Sequence, residues 1–415
     1  MAIPHLPSSK TSDRLRIWGI PYHGGMVSMM FDRYLQALEA QHLLRRLRTI
    51  ESSDATRITV DGRSLILMAS NNYLGLANHP AVKQAATQAI AQWGVGSGAS
   101  RLISGTAKPH QELEEQLAHF KQTKSALVFG SGYATNVGVI PALAEKEGLI
   151  LADRLCHASL IDGCRLAKAE LRVFHHNDTS HLQKLLEKRS ARRPTLIVTE
   201  GVFSMDGDLA PLPALHHLAQ SYEASLLVDD AHGTGVLGAS GRGTLEHFGI
   251  QANSCFQMGT LSKAIGTSGG YVVGTKAFIQ YVINTARSFM YTTAPPPAIM
   301  AAASAAISLI QAEPERRSRL WKNRERMYTG LKAMGFSFTE TQSPILPILV
   351  QDPEKALAMS ENLSRAGVYV PAIRPPTVPK GSSRLRLTVT SEHTEEHLES
   401  VIKACKKVGE DLRLI

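Results

Sequence analysis

The sequence predicts an α/β chain: a large domain on a mainly parallel sheet, then a smaller α+β domain. Three observations predict it. Short apolar runs alternate with amphipathic stretches from about residue 126 to residue 273. Several runs end abruptly in glycine, acid, hydroxyl or histidine residues. A proline break at Pro295, Pro296 and Pro297 then separates this part from a helical stretch and a second group of apolar runs.

Residues 1–30 scatter Pro, Gly, Ser and basic residues without helical period and read as a disordered extension. They lack the continuous apolar core of a secretory signal. A helix is expected from about Phe31, because Leu35, Leu38, Leu43 and Leu44 recur at roughly helical spacing; with an arm it fills 31–70. The large domain is expected over 71–297, with strands at 126–129, 149–152, 171–174, 196–199, 226–229 and 271–273. These are continuous apolar runs, as in strands covered on both faces. A linking helical region is expected from about 298 to 334. Strands at 345–350, 368–371 and 385–389 fill the smaller domain, which ends at 415.

Composition narrows the function classes. At 415 residues and 43% hydrophobic content the chain can bury a large core. No apolar stretch approaches a membrane span. Cys156, Cys164, Cys255 and Cys405 have neither metal-site nor disulfide-framework spacing, which points to a reduced, cytoplasmic setting. A net charge of +9 favours acidic ligands; coenzyme A, a phosphorylated carrier protein and nucleic acid share that sign. There is no aromatic–basic stripe or nucleic-acid motif, so no nucleic-acid partner is expected.

The chemistry-bearing motifs lie at strand ends. Lys263 stands in GTLSKAIG at 259–266, among small and hydroxyl residues. A lysine desolvated in this way can form a Schiff base with an aldehyde; the competing reading is a surface lysine. Thr260 and Ser262 offer hydroxyls to a phosphate. LLVDDAHGTG at 226–235 reads as a buried strand whose carboxyl end opens into a loop, where open α/β sheets place ligands. There Asp229 can hold a pyridine nitrogen protonated and His232 can reach the same ligand; otherwise Asp229 caps a helix. FGSGYATN at 129–136 places glycines at a strand-to-helix turn, where backbone N–H groups of Gly132 and Tyr133 can meet a phosphate. It matches neither the dinucleotide pattern nor a Walker loop. His157 can lie flat on an aromatic cofactor or serve as a turn histidine. Arg384 and Arg386 share a strand face, and a guanidinium suits a carboxylate.

Together with EGVFSMDGD at 200–208 and AIRPPTVP at 372–379, these motifs resemble the pyridoxal-phosphate enzymes of the α-oxoamine synthase family. The resemblance runs from about Arg45 to the C-terminus. It implies a fold-type I large domain, pyridoxal 5′-phosphate as cofactor, no metal, and a homodimer. By resemblance, Lys263 and His157 are catalytic. Gly132, Tyr133, Ser204, Asp229, His232, Thr260 and Lys263 bind cofactor. Arg45, Asn71, His157, Thr377 and Arg386 bind substrate, while Arg384 is expected to be a surface strand residue. Within the family the motif forms point to a decarboxylative condensation of L-alanine with pimeloyl-coenzyme A or a pimeloyl-acyl-carrier protein, a step of biotin biosynthesis. Sister reactions with glycine or serine remain alternatives. An aminotransferase would usually carry tyrosine where His232 stands.

Overall fold

A computed structural model of the chain describes residues 24–190 and 192–415. Seven strands form the central sheet. In spatial order they are Ser125–Phe129, Gly270–Gly274, Phe256–Thr260, Ser225–Asp229, Thr195–Glu200, Leu149–Asp153 and Glu170–Phe174. The last five are mutually parallel; Gly270–Gly274 runs antiparallel to both its neighbours. Leu149–Asp153 and Thr195–Glu200 are buried at every residue. That is the burial a helix-covered parallel sheet imposes, and it is why these strands read as unbroken apolar runs.

All six strands expected for this sheet are present, each within a residue or so of its expected ends. The seventh, Phe256–Thr260, was not expected. Its Gln257, Gly259 and Thr260 break the apolar run, yet Gln257 through Thr260 are buried. This strand delivers the chain to Lys263.

Helices cover the sheet. Pro297–Ala312 packs against Pro80–Trp93 and Lys108–Phe120, and its alanine-rich face allows close approach. The helical region expected over 298–334 is two helices, Pro297–Ala312 and Glu315–Ala333, parted at Pro314. The first helix runs Gly24–Ala40 and so begins ahead of Phe31, inside the segment expected to lack structure; the rest of that expected extension lies outside the described residues.

The C-terminal part carries a small antiparallel sheet in the order Ile345–Gln351, Ser383–Thr388, Ala372–Ile373. The run expected as a strand at 368–371 goes elsewhere: Val368–Tyr369 pairs in parallel with Arg63–Leu67 in a separate sheet. One continuous apolar core joins the central sheet's face to the C-terminal strands and helices.

Candidate active site

The carboxyl ends of three adjacent parallel strands, Thr195–Glu200, Ser225–Asp229 and Phe256–Thr260, open onto a cavity of about 210 Å³. Crevices at this edge are the usual ligand sites of such sheets. Lys263 reaches it from a tight turn after the third strand. The turn closes through Gly266 N–H to the Lys263 carbonyl at 2.9 Å. Gly266 sits at φ +75°, and a Cβ there would lie 2.5 Å from the backbone nitrogen of Ala77, so only glycine lets the turn seat. The Lys263 amine makes no hydrogen bond or ion pair among the described residues. Burial pulls it below the ordinary lysine value, against the opposing pull of the Asp229 and Glu200 carboxylates.

Asp229 ends its strand with both oxygens engaged. Asn136 Nδ2 donates to Oδ2 at 2.9 Å and the Ala231 N–H to Oδ1 at 3.0 Å. The same Asn136 nitrogen reaches Ser159 Oγ, while Asn136 Oδ1 is buried without a partner. His157 caps the Ala158–Leu166 helix, and its Nδ1 lies 2.7 Å from Ser159 Oγ. Its backbone N–H donates to Glu200 Oε1 at 2.6 Å. His232 follows in the turn after Asp229, with Nδ1 2.8 Å from the buried hydroxyl of Tyr73. Burial depresses His232 well below the usual histidine value, and the charges of Lys263 and Arg386 add to the fall. His157 is lowered by burial and partly restored by Asp229. Both imidazoles are therefore neutral near pH 7.

Opposite these groups, the helix Gly132–Leu143 starts at the cavity. Ser131 caps it by accepting from the Ala134 N–H at 3.0 Å, leaving the N–H groups of Gly132 and Tyr133 without an acceptor among the described residues. A Cβ at Gly132 would stand 3.4 Å from Thr260 Oγ1, filling the gap between helix start and hydroxyl. Thr260 Oγ1 and Ser262 Oγ lie 2.8 Å apart in the same wall. Free N–H groups at a helix start with two hydroxyls suit a phosphate; an acid at the other end suits a basic ring nitrogen. The donor set thus fits a flat phosphorylated pyridine aldehyde with Lys263 at its carbonyl.

Of the residues singled out from sequence, Gly132, Tyr133, His157, Asp229, His232, Thr260 and Lys263 line this cavity together. Ser204, Asn71 and Arg386 form an adjoining group: Arg386 donates Nε–H to the Ser204 carbonyl and Nη1–H to Asn71 Oδ1 at 3.2 Å. Tyr73 joins the groups, lying between Asn71 and His232. Arg45 and Thr377 meet each other, Nη2 to Oγ1 at 3.2 Å, but neither lines the cavity; Arg45 borders a separate cleft. Arg384 is not the surface residue expected. It is buried and pairs with Asp206 at 2.6 Å, because the loop 204–206 folds over that strand face. Glu200, Asn136 and Tyr73 were not singled out as site residues. The first two lie inside motifs that were quoted, and Tyr73 stands two residues after Asn71, but its contact with His232 arises only through the fold.

Residues 63–404 match the family described as aminotransferase class I and II. An 8-amino-7-oxononanoate synthase from Geobacter sulfurreducens is 48% identical over 383 residues, 92% of this chain and 98% of that protein. 8-Amino-7-oxononanoate synthase 1 from Bacillus subtilis is 44% identical over 381 residues, 92% of this chain and 97% of its own. Among solved structures, a serine palmitoyltransferase from S. paucimobilis with bound PLP is similar at TM-score 0.90 and 34% identity, covering 95% of this chain and 100% of its own. An 8-amino-7-oxononanoate synthase from Francisella tularensis matches at TM-score 0.73 and 29% identity, covering 85% and 99%.

Proposed function

Starting from a chain that belongs to the aminotransferase class I and II family, we propose that it condenses L-alanine with a pimeloyl thioester, releasing carbon dioxide and the thiol carrier, to give 8-amino-7-oxononanoate for biotin biosynthesis. The observation that carries this is the meeting of an unpaired, desolvated Lys263 with Asp229 in one buried cavity, in a chain alike over nearly its full length to synthases of that name.

The cofactor is pyridoxal 5′-phosphate, the group held by the structural relatives. Gly132, Tyr133, Thr260 and Ser262 would hold its phosphate, Asp229 its ring nitrogen, and His157 one ring face. His232 is the histidine within reach of its phenolic oxygen. When bound, it supplies an electron sink for charge developing at the amino-acid α-carbon.

The remaining steps belong to the chain's own groups. Lys263 would hold the cofactor through its Nζ, and as a free amine the same Nζ would take the alanine α-proton. Burial lowers the lysine value, which favours the free amine that can act as a base. Arg386, positioned by Ser204 and Asn71, receives the alanine carboxylate. Arg45 and Thr377, bonded to each other, would meet the acyl chain. Coenzyme A and a carrier protein both present an anionic phosphopantetheine arm, which the basic cleft of Arg45, Arg46, Arg48 and Arg374 complements. We read the protein as a cytoplasmic homodimer; no helix among the described residues is long and apolar enough to cross a membrane.

Purified protein supplied with alanine and a pimeloyl thioester tests the proposal by product identification. Formation of 8-amino-7-oxononanoate is the expected result; its absence, with a product from glycine or serine instead, would move the chain to a sister activity.

A further inference from the structure

Glu200 takes no part in the chemistry above, yet it is nearly inaccessible and lines the same cavity as Asp229. The two residues are in register across neighbouring parallel strands, Glu200 opposite Asp229. Neither has a cation within ion-pair distance among the described residues. Two carboxylates sharing a dry site do not both ionise readily.

Their hydrogen bonds decide which one keeps the proton. Asp229 accepts from two donors, Asn136 and Ala231. Glu200 accepts from one, the His157 backbone, and its second oxygen has no partner among the described residues. More donated hydrogen bonds favour the charged form, so Glu200, with fewer, is the better placed of the two to keep the proton.

We propose that Glu200 is a positioning residue that works as the neutral acid: one oxygen fixes the backbone turn that sets the His157 ring over the cavity, while the other holds a proton beside Asp229. Neutrality matters because a second negative charge here would compete with Asp229 for the ring nitrogen and draw the Lys263 amine toward its protonated form. Burial, followed by the charge of Asp229, pushes Glu200 up to about 8, consistent with this assignment. Among the described residues, the other titratable groups near Glu200 are His157 and Lys263, which line the same cavity, and Cys156. Both His157 and Lys263 are pulled down by burial, and Cys156 is raised by it.

The proposal rests on the cavity being the cofactor site, and two measurements separate the two ideas. Infrared difference spectra of the holoenzyme report the carbonyl stretch of a protonated carboxyl group. Near pH 7 that band should be present, fade as pH rises through about 8, and be missing in Glu200→Gln. Cofactor affinity, measured by absorbance titration, gives the second readout. Glu200→Ala should weaken it about tenfold, as expected for losing one hydrogen bond to a buried group. Glu200→Gln, which has the shape of the neutral acid, should restore most of that loss and remove its dependence on alkaline pH. A band unaffected by Glu200→Gln, or equal affinity losses in the Ala and Gln variants, would overturn the role of Glu200. A wild-type protein that takes up no cofactor would instead overturn the cavity assignment itself.

Discussion

Single side chains set the chemistry, and the cavity shows why substitutes fail. The Lys263 amine is unpaired and desolvated, and no other amine lines the cavity among the described residues. Lys263→Ala should therefore lower α-proton exchange on alanine by at least about a thousandfold, the scale of a lost general base together with its covalent role. Exchange at the wild-type rate, followed by loss of deuterium from labelled alanine, would remove Lys263 from that role. Asp229 contributes charge rather than shape. Asp229→Asn keeps the contact to Asn136 but loses the charge that would hold a ring nitrogen protonated. Carbanion formation should slow at least about a hundredfold, comparable to removing a major electrostatic group. Stopped-flow absorbance checks this, and wild-type rates in the variant would mean that Asp229 is structural.

At the scale of elements, the site depends on turns clamped from below. Asp230, next to Asp229, is fully buried and accepts from Lys121 Nζ at 2.8 Å, Thr234 Oγ1 at 3.0 Å and Thr244 Oγ1 at 2.8 Å. Gly233 and Gly243 press against its carboxylate, leaving no room for side chains. Lys121→Met would strand that buried charge and should cost about 3–5 kcal/mol in denaturant unfolding. A loss below about 1 kcal/mol, the worth of an exposed pair, would show that the network is dispensable. A second clamp is His176, held between Asp153 and Asp208 at 2.9 and 2.8 Å. Burial lowers its value, but the two acids outweigh that and raise it to about 10. Its raised folded value means that its stabilising contribution is full below about pH 6.5 and is lost as pH rises through about 10. The alkaline fall of Tm should therefore shrink in His176→Gln, and an unchanged pH profile would contradict the assignment. These clamps also show what was legible in the sequence. Apolar strands ending in Asp229 or Glu200 were visible because burial on both faces leaves an unbroken run. The Phe256–Thr260 strand was not, because its buried Gln257 and Thr260 satisfy their polar groups through partners such as Ala252 and Gly269. Tyr73 and His232 lie 159 positions apart, so no local pattern could join them.

At the scale of the whole molecule, the substrate end of the site is assembled by the C-terminal part of the chain. Arg384 and Arg386 leave one face of the Ser383–Thr388 strand and hold the loop at 204–206 through its carbonyls and Asp206. Thr339 and Gln342 grip the same loop from the other side, bonding to Asp206 and Gly207. Arg386, proposed to bind the amino-acid carboxylate, is thus fixed relative to Lys263 by packing between the two parts, whereas Arg45 reaches Thr377 through exposed contacts only. Amino-acid recognition should accordingly be the more rigid half of the specificity. Even so, one methyl group is worth only about 1–3 kcal/mol in a pocket, so alanine should be favoured over glycine by roughly ten- to two-hundredfold and no more. The acyl half should discriminate by its distal end, because a pimeloyl chain carries a second polar terminus that acetyl and palmitoyl chains lack. Arg45→Ala should therefore raise KM for the pimeloyl donor while leaving KM for alanine within about twofold, since only binding of the acyl donor is removed. Competing alanine, glycine and serine against pimeloyl, acetyl and palmitoyl thioesters measures both halves at once. Highest turnover with glycine and acetyl-coenzyme A, or with serine and palmitoyl-coenzyme A, would overturn the substrate assignment and leave the cofactor chemistry of the cavity standing.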